Sequence, residues 1–375
     1  VNCKYFGLCG SCNLYEGGYK QQINYKADRE KDRFSDLYSG DFSILESKDS
    51  NYRGRAEFRI WHITDSDKIY YAMAKAGDER GKFIEIDSCP MVSDHIAKVM
   101  TPLLDEISKS EILRKKLFSI EFLTGNSGDM LTTLIYHKKL DSSWEERAKE
   151  LQERLKLSII GRSRKQKLVV GNDYISDTLT FGGEEYRFKH LENSFSQPNP
   201  SVNEKMVSWV MDQVGDSSER DLIELYCGAG NFTVPLSKRF NKVLATEVAK
   251  SGIATAKENM ALNGVENISF ARVSSEEFTE AIDEVRDFYR LKDVDLRSYD
   301  LDTIFVDPPR AGIDSETIKL LQRFKRIVYI SCNPETLHRD LNILTSSHRI
   351  DSMALFDQFP YTKHLEMGTV LTIKE

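Results

Sequence analysis

Leu222-Ile223-Glu224-Leu225-Tyr226-Cys227-Gly228-Ala229-Gly230-Asn231 is an apolar run of strand type that breaks into two glycines just before a helical pattern opens at Phe232. Small residues at such a turn let the backbone approach a ligand at the start of the next helix. From there strand and helix patterns alternate to the end of the chain. Strands are expected at 242–246, 268–272, 303–306 and 327–330, with helices at 232–240, 251–263, near 315–323 and from 334. Closing strands are expected near 352–356 and 369–373. This rhythm predicts an α/β, doubly wound and mostly parallel sheet that binds ligands at the carboxyl ends of its strands.

Upstream the pattern differs. Between about 52 and 188, short β-type runs recur, interrupted by two helical patterns near 93–108 and 143–155, which predicts an α+β region built on an antiparallel sheet. Residues 19–37 are polar with sparse apolar positions (Ile23, Ala27, Phe34, Leu37), which suits an exposed helix packed on something larger. Polar residues and two prolines between His190 and Pro200 break the pattern. The expected division is a cysteine-bearing N-terminal segment at 1–50, an α+β domain at 51–190 and a Rossmann-like domain at 191–375.

With 375 residues, 40% hydrophobic and 30% charged, the composition excludes disordered, collagenous and small disulfide-stapled classes, and no apolar run approaches a membrane span. The start of the chain lacks a basic region followed by an apolar stretch, so a reducing cytoplasm is the expected location. The net charge of −7 is unevenly spread: residues 1–200 carry 31 basic and 31 acidic side chains, against 21 and 28 in the remainder. Basic clusters at Arg53, Arg55 and Arg59, at Arg114 to Lys116, and at Arg162 to Lys167 can steer phosphate backbones even on an acidic protein.

Glu247 follows the second strand of the alternating region, where doubly wound folds place a carboxylate on ribose hydroxyls. The third glycine of a dinucleotide fingerprint is missing, which favours S-adenosylmethionine over a nicotinamide dinucleotide. Asp307-Pro308-Pro309-Arg310 ends another strand in a rigid turn with a carboxylate at the sheet edge. Cys332 lies between a strand and a helix begun by Asn333 and Pro334, beside the positive helix end, where a lowered pKa and a reactive thiolate are expected. Glu366 is expected in a loop between the last two strands, with His364 and aromatics around it.

Leu225-Tyr226-Cys227-Gly228, Phe305-Val306-Asp307-Pro308-Pro309-Arg310, Ser331-Cys332-Asn333-Pro334 and the segment from Phe359-Pro360 to Glu366 resemble the RNA uracil-5-methyltransferases. Residues 52–62, Leu117-Phe118, Tyr136-His137-Lys138-Lys139-Leu140-Asp141, Ile160-Gly161-Arg162 and 192–199 are similar to the tRNA (uracil-5-)-methyltransferase branch, so the resemblance runs from about 52 to 374. It implies a Rossmann-like S-adenosylmethionine-dependent methyltransferase domain preceded by an α+β RNA-recognition domain with an antiparallel sheet. It also implies C5 methylation of the T-loop uridine of tRNA, and of tmRNA as a further substrate. On it, Cys332 adds to uracil C6 and Glu366 removes the C5 proton. Gln197, Tyr226, Asn231, Glu247 and Asp307 bind S-adenosylmethionine, and Asp307 and Arg310 touch the uracil edge. The target base has to leave its stack. Phe118 is the candidate wedge, with Arg53, Arg59, His137 and Lys138 on the phosphate surface.

Cys3, Cys9, Cys12 and Cys89 lie outside this chemistry. Their spacing resembles the iron-sulfur site of the ribosomal RNA branch, and a [4Fe-4S] cluster, zinc or unliganded thiols all remain open. A cluster would pin the N-terminus to the Cys89 segment. The site keeps ribosomal RNA open as an alternative substrate, although the chain begins at the cysteines, without room for the oligonucleotide-binding barrel that the ribosomal enzymes often carry. A non-catalytic RNA-folding chaperone is the rival of another class; retention of both Cys332 and Glu366 argues against it. No membrane or obligate protein partner is expected.

Overall fold

Period-two alternation and a change of helix density divide the chain into three sheets. The computed structural model describes residues 2–14, 16–77 and 81–375. Helix α1 (Gly18–Arg33) leads to a short strand β1 (Phe42–Leu45). The next sheet holds β2 (Arg55–His62), β3 (Ile69–Ala74), β4 (Phe83–Ile86), β5 (Leu117–Thr124), β6 (Met130–Tyr136), β7 (Ser158–Ser163) and β8 (Gln166–Val170), in the order β4-β3-β2-β5-β6-β7-β8. Helices α2 (Asp94–Lys109), α3 (Glu111–Arg114) and α4 (Ser142–Leu155) belong to this region. Ile96, Met100 and Leu103 of α2 and Trp144, Ala148 and Leu151 of α4 meet Phe58, Tyr71 and Phe122 in one core. That leaves the opposite face of β2 to Arg59 and Trp61, the residues that alternate with buried Phe58 and Ile60. The sheet is antiparallel except for β6 and β7, which pair in parallel because α4 lies between them in the chain.

A hairpin of β9 (Tyr174–Phe181) and β10 (Glu184–Leu191) follows, and its Leu179, Phe181, Tyr186 and Phe188 pack on α5 (Pro200–Val214). Then come β11 (Ser217–Leu225), α6 (Thr233–Ser237), β12 (Phe240–Thr246), α7 (Lys250–Leu262), β13 (Ile268–Ala271) and α8 (Ser275–Ile282). The chain closes with β14 (Thr303–Val306), α9 (Ser315–Leu321), β15 (Arg326–Ser331), α10 (Pro334–Leu344), β16 (His348–Phe356) and β17 (Glu366–Ile373). The third sheet runs β1-β16-β17-β15-β14-β11-β12-β13, with β17 antiparallel to both its neighbours. Strand order reverses between β14 and β11, the place where open α/β sheets form a ligand crevice.

Four local expectations are corrected. The helix over 232–240 is cut to α6, because Phe240 already pairs with Ser217 as the first residue of β12. The hairpin strand β9 was not expected. Residues 42–45 add β1 to the edge of the third sheet, in parallel with β16. Helix α1 is not exposed all round: Gln22, Ile23, Lys26, Ala27 and Glu30, at helical spacing, are buried. Ile23 and Ala27 join the core under the third sheet with Phe34 and Phe42; Glu30 pairs with Arg29 and Arg33, and Gln22 and Lys26 find partners described below.

Candidate active site

The turn after β11 is built on positive φ. Tyr226 takes φ 64° and Gly228 φ 55°, and holding a tyrosine there costs strain that the surroundings must offset. Two contacts do so. The Tyr226 hydroxyl donates to Ser275 Oγ at 2.7 Å, and the Gly228 N–H donates to Glu247 Oε2 at 3.1 Å. The other Glu247 oxygen accepts the Ala249 N–H at 2.7 Å, so one carboxylate ties the turn after β11 to the loop after β12. Asn231 exchanges side-chain amide bonds with buried Asn203 of α5 at 2.8 and 2.9 Å.

At the ends of β15 and β17 the register decides the geometry. Ser331 pairs with Met367, so the next positions outward are Cys332 and Glu366, neighbours across the ladder. Glu366 is therefore not in a loop, as the sequence reading has it. It is the first residue of β17, 4% exposed, and paired on its other side with Phe356. Asn333 caps α10 by accepting the Glu335 N–H, and its side-chain amide donates to the Arg310 carbonyl at 3.1 Å. This links the segment after Cys332 to the rigid turn after Asp307.

Gln197, Tyr226, Asn231, Glu247, Asp307, Cys332 and Glu366 all line one cavity of about 560 Å³. A second cavity of about 560 Å³ shares Tyr226, Glu247, Val248 and Pro309 with it and extends past Val273, Ser275 and Asp314, making a long cleft bent around Tyr226. Two buried polar atoms of the first cavity have no partner: Gln197 Oε1 and Glu224 Oε2. Both are acceptors, as a ligand with an ammonium or other N–H donor requires.

Burial raises the pKa of three acids of the cavity, Glu224, Asp307 and Glu366. Burial pushes the Glu224 carboxyl up to about 8, helped by the Asp307 charge; the Thr233 hydroxyl acts the other way without reaching hydrogen-bond geometry. Burial takes Asp307, partly open to the cavity, up to about 7. Glu366 is raised well above the ordinary carboxylate range, by burial first and then by Asp307. The expected lowering of the Cys332 pKa is overturned: burial, with the Glu366 and Asp307 carboxylates behind it, pushes the thiol up to about 11, while its own backbone N–H and Arg310 pull it down. A helix end contributes only ~0.3–1 kcal/mol and fades within a turn, too little against desolvation and two acids. Sequence reasoning missed Glu224. Its only signal is a carboxylate interrupting the apolar run Leu222-Ile223-Leu225.

The residues assigned to RNA sit elsewhere. Phe118 of β5 is half-buried and stacks on exposed His137 with ring centroids 4.4 Å apart. The Arg59 guanidinium lies 4.5 Å from the Phe118 ring centre and 4.7 Å from that of Phe83, and Phe83 in turn contacts Trp61 at 5.4 Å. These side chains make a continuous aromatic and cationic stripe across β2, β4 and β5. Arg53 lines a groove with Arg55, Ser196, Phe195 and Phe359, and Phe195 and Ser196 also line the first cavity. Arg310 is exposed beside Asp307. Lys138 is drawn inward: its ammonium donates to the Ile112 carbonyl at 2.6 Å, and burial lowers its pKa.

Cys3, Cys9, Cys12 and Cys89, all free thiols, line a separate cavity of about 390 Å³. Burial raises Cys12 to about 12, with the negative charge of Cys89, Cys9 and Cys3 adding to it. No group of three or more His, Cys, Asp or Glu among the described residues is arranged to hold a metal ion. Among the described residues, no helix is long and apolar enough to cross a membrane.

The chain was compared with known proteins. A model of the tRNA (uracil-5-)-methyltransferase family matches residues 18–374. The tRNA/tmRNA (uracil-C(5))-methyltransferase of Aliarcobacter butzleri is 51% identical over 374 residues, 99% of each chain. That of Sulfurimonas denitrificans is 50% identical over 374 residues, the full length of both. Among solved structures, the Pyrococcus abyssi tRNA (uracil-54, C5)-methyltransferase in complex with S-adenosyl-L-homocysteine has a TM-score of 0.74 at 24% identity, covering 97% of this chain and 86% of that one. The likeness supports the fold.

Proposed function

The chain belongs to the tRNA (uracil-5-)-methyltransferase family, and on that premise we propose how its own side chains carry the reaction. It is an enzyme that methylates C5 of uridine in tRNA with S-adenosylmethionine. We assign the target to the T-loop, include tmRNA as a substrate, and place the reaction in the cytoplasm. One observation supports the assignment of residues: a thiol one residue past the end of β15 and a carboxyl at the start of β17 share a cavity with every side chain expected to hold the methyl donor.

Gln197, Tyr226, Asn231, Glu247 and Asp307 would hold S-adenosylmethionine, with Glu224 added by its unpartnered oxygen. When bound, it supplies an electrophilic methyl group on a positively charged sulfur. A cation suits this cavity. Burial raises the pKa of Glu224, Asp307, Cys332 and Glu366, and positive charge among them favours their ionised forms.

Uracil C5 is a poor nucleophile. Once the Cys332 thiol has lost its proton, its thiolate adds to C6 and shifts the C5=C6 pair toward C5 and the C4 oxygen, giving an enolate whose C5 would take the methyl group as the donor's carbon–sulfur bond breaks to leave a neutral thioether. Glu366 then takes the C5 proton. The C–H pair restores C5=C6, and the Cys332 thiolate leaves. We assign Arg53, Arg59, Phe118, His137 and Lys138 to RNA contacts and Arg310 to the uracil edge. The stripe at Arg59, Phe118 and His137 supports this, since guanidinium and aromatic faces stack on unpaired bases. For Lys138, phosphate contact requires release of the Ile112 carbonyl.

Purified protein given labelled S-adenosylmethionine and either unmodified tRNA or ribosomal RNA is expected to label tRNA at one uridine and to leave ribosomal RNA unlabelled. RNA binding without methyl incorporation would return the chaperone reading.

We also propose that Cys3, Cys9, Cys12 and Cys89 hold an iron-sulfur cluster, with zinc as the alternative. Four soft donors from two distant segments converge on one cavity without a disulfide, which fits the donor chemistry, although their present arrangement falls short of ligation. Its role would be to pin residues 3–12 to the Cys89 segment. Anaerobically purified protein is expected to be brown with a broad visible absorbance. A colourless protein containing zinc would select the alternative.

A further inference from the structure

Residues 357–365 connect β16 to β17 and lead directly into Glu366. Five of its nine backbone carbonyls accept hydrogen bonds from residues 13–52. The Lys26 ammonium of α1 donates to Asp357 Oδ1 at 2.6 Å, to the Phe359 carbonyl at 2.9 Å and to the His364 carbonyl at 2.9 Å. An ammonium has three N–H donors, and all three are used on this one segment, at its entry, middle and exit. Lys26 and Asp357 are both fully buried.

Neighbouring groups extend the grip. Gln22, one turn before Lys26, donates to the second Asp357 oxygen at 2.7 Å and accepts the Tyr361 N–H at 3.3 Å. Arg29 donates to the Lys363 carbonyl at 3.0 Å, and the Tyr52 hydroxyl to that of Pro360 at 3.2 Å. The Asn13 and Leu14 N–H groups donate to the Tyr361 carbonyl at 2.9 and 2.8 Å. A buried charge is costly to keep, and a packed apolar pair of similar size would stabilise the fold as well or better. The hold of Lys26 on the His364 carbonyl, two residues before Glu366, gives the buried charge another use.

We propose that Lys26 is a positioning residue for proton abstraction: by fixing both ends of the 357–365 segment it sets the Glu366 carboxyl against the C5 proton. The proposal rests on the reading of Glu366 as the base. Lys26 touches neither substrate nor cysteine, so bond formation between Cys332 and C6 does not depend on it. The step it governs is transfer of the C5 proton to Glu366, with return of the C–H pair to C5=C6 and departure of the Cys332 thiolate.

The test compares Lys26→Met with Glu366→Gln and wild type on tRNA, using methyl-labelled S-adenosylmethionine. Displacement of a reacting group by about 1 Å costs on the order of 10²-fold. Lys26→Met is expected to lose turnover by about that factor and to accumulate a methyl-labelled, denaturant-stable protein–RNA adduct on ordinary uridine. Adduct formation with 5-fluorouridine tRNA, which needs no base because fluorine replaces the proton, should stay within about threefold of wild type. The double variant Lys26→Met with Asp357→Asn leaves no buried charge unpaired and serves where the single variant is insoluble; the same trapped adduct is expected. If both adduct formation and turnover fall together in these variants, or if turnover is unchanged, Lys26 only supports the fold and the proposal fails. If Glu366→Gln itself traps no methylated adduct, the base assignment fails and takes this proposal with it.

Discussion

Replacing Cys332 with alanine is expected to reduce methyl transfer to tRNA by at least about 10⁴-fold and to remove the covalent adduct with 5-fluorouridine tRNA. The reason is chemical rather than structural. Without sulfur bonded to C6, C5 keeps the weak nucleophilicity of an aromatic pyrimidine, and the other thiol that lines the cavity, Cys227, is buried with its pKa raised well above the ordinary value. The side chain is partly exposed to the cavity, and its loss removes one sulfur from a wall otherwise held by the β15–β17 ladder and the α10 cap, so folding and tRNA binding should survive. In wild type the thiol stands at about 11, far above neutrality. Its thiolate fraction, and with it the rate of 5-fluorouridine adduct formation, should climb about tenfold per pH unit from 6 to 9. Stopped reactions resolved on denaturing gels measure both. An adduct that persists in Cys332→Ala would move the nucleophile elsewhere.

What the sequence made legible follows from which forces act locally. The strand, glycine turn and helix around Gly228 are written in neighbouring residues, and β11, the turn and the carboxylate at Glu247 came out where expected. Cys332 and Asp307 were also legible as sheet-edge residues, because Asn333-Pro334 and Pro308-Pro309 punctuate the chain at those points. Glu366 was found as a residue but placed in a loop, since the β17 register depends on pairing with β15 and β16, distant partners that no local pattern encodes. The thiol's pKa was misjudged for a related reason: the helix end is a local feature, whereas the carboxylates that add to burial come from Glu366 at the start of β17 and Asp307 just after β14.

Buried polar residues were the least legible. Gln22 and Lys26 look like the solvent face of a polar helix, and only the Asp357 segment, more than 300 residues away, reveals that face as buried. Glu224 looks like a flaw in an apolar strand. In both cases hydrophobic periodicity assigns polar side chains to water by default, and a network that satisfies them internally defeats it.

Glu366→Gln is expected to separate the two halves of the reaction. The amide cannot take a proton, so sulfur addition and methyl capture proceed while release stops. Turnover should fall by about 10²–10⁴-fold, and methyl label should collect in a covalent band with ordinary uridine tRNA, approaching one RNA per enzyme. The pH dependence has a defined sign. A base works ionised, and Glu366 is raised well above the ordinary carboxylate range, so breakdown of the methylated adduct in wild type should accelerate as pH rises through that raised value and slow as it falls below. The glutamine variant should lose this limb while retaining the alkaline rise of sulfur addition set by Cys332. The raised value is useful as well as restrictive: a carboxylate that holds its proton tightly is the stronger base toward a carbon acid such as C5–H, which an exposed glutamate would deprotonate slowly. Fast, uncoupled product release by Glu366→Gln would show that another group removes the proton, with Asp307, the other acid at this end of the cavity, the first to examine.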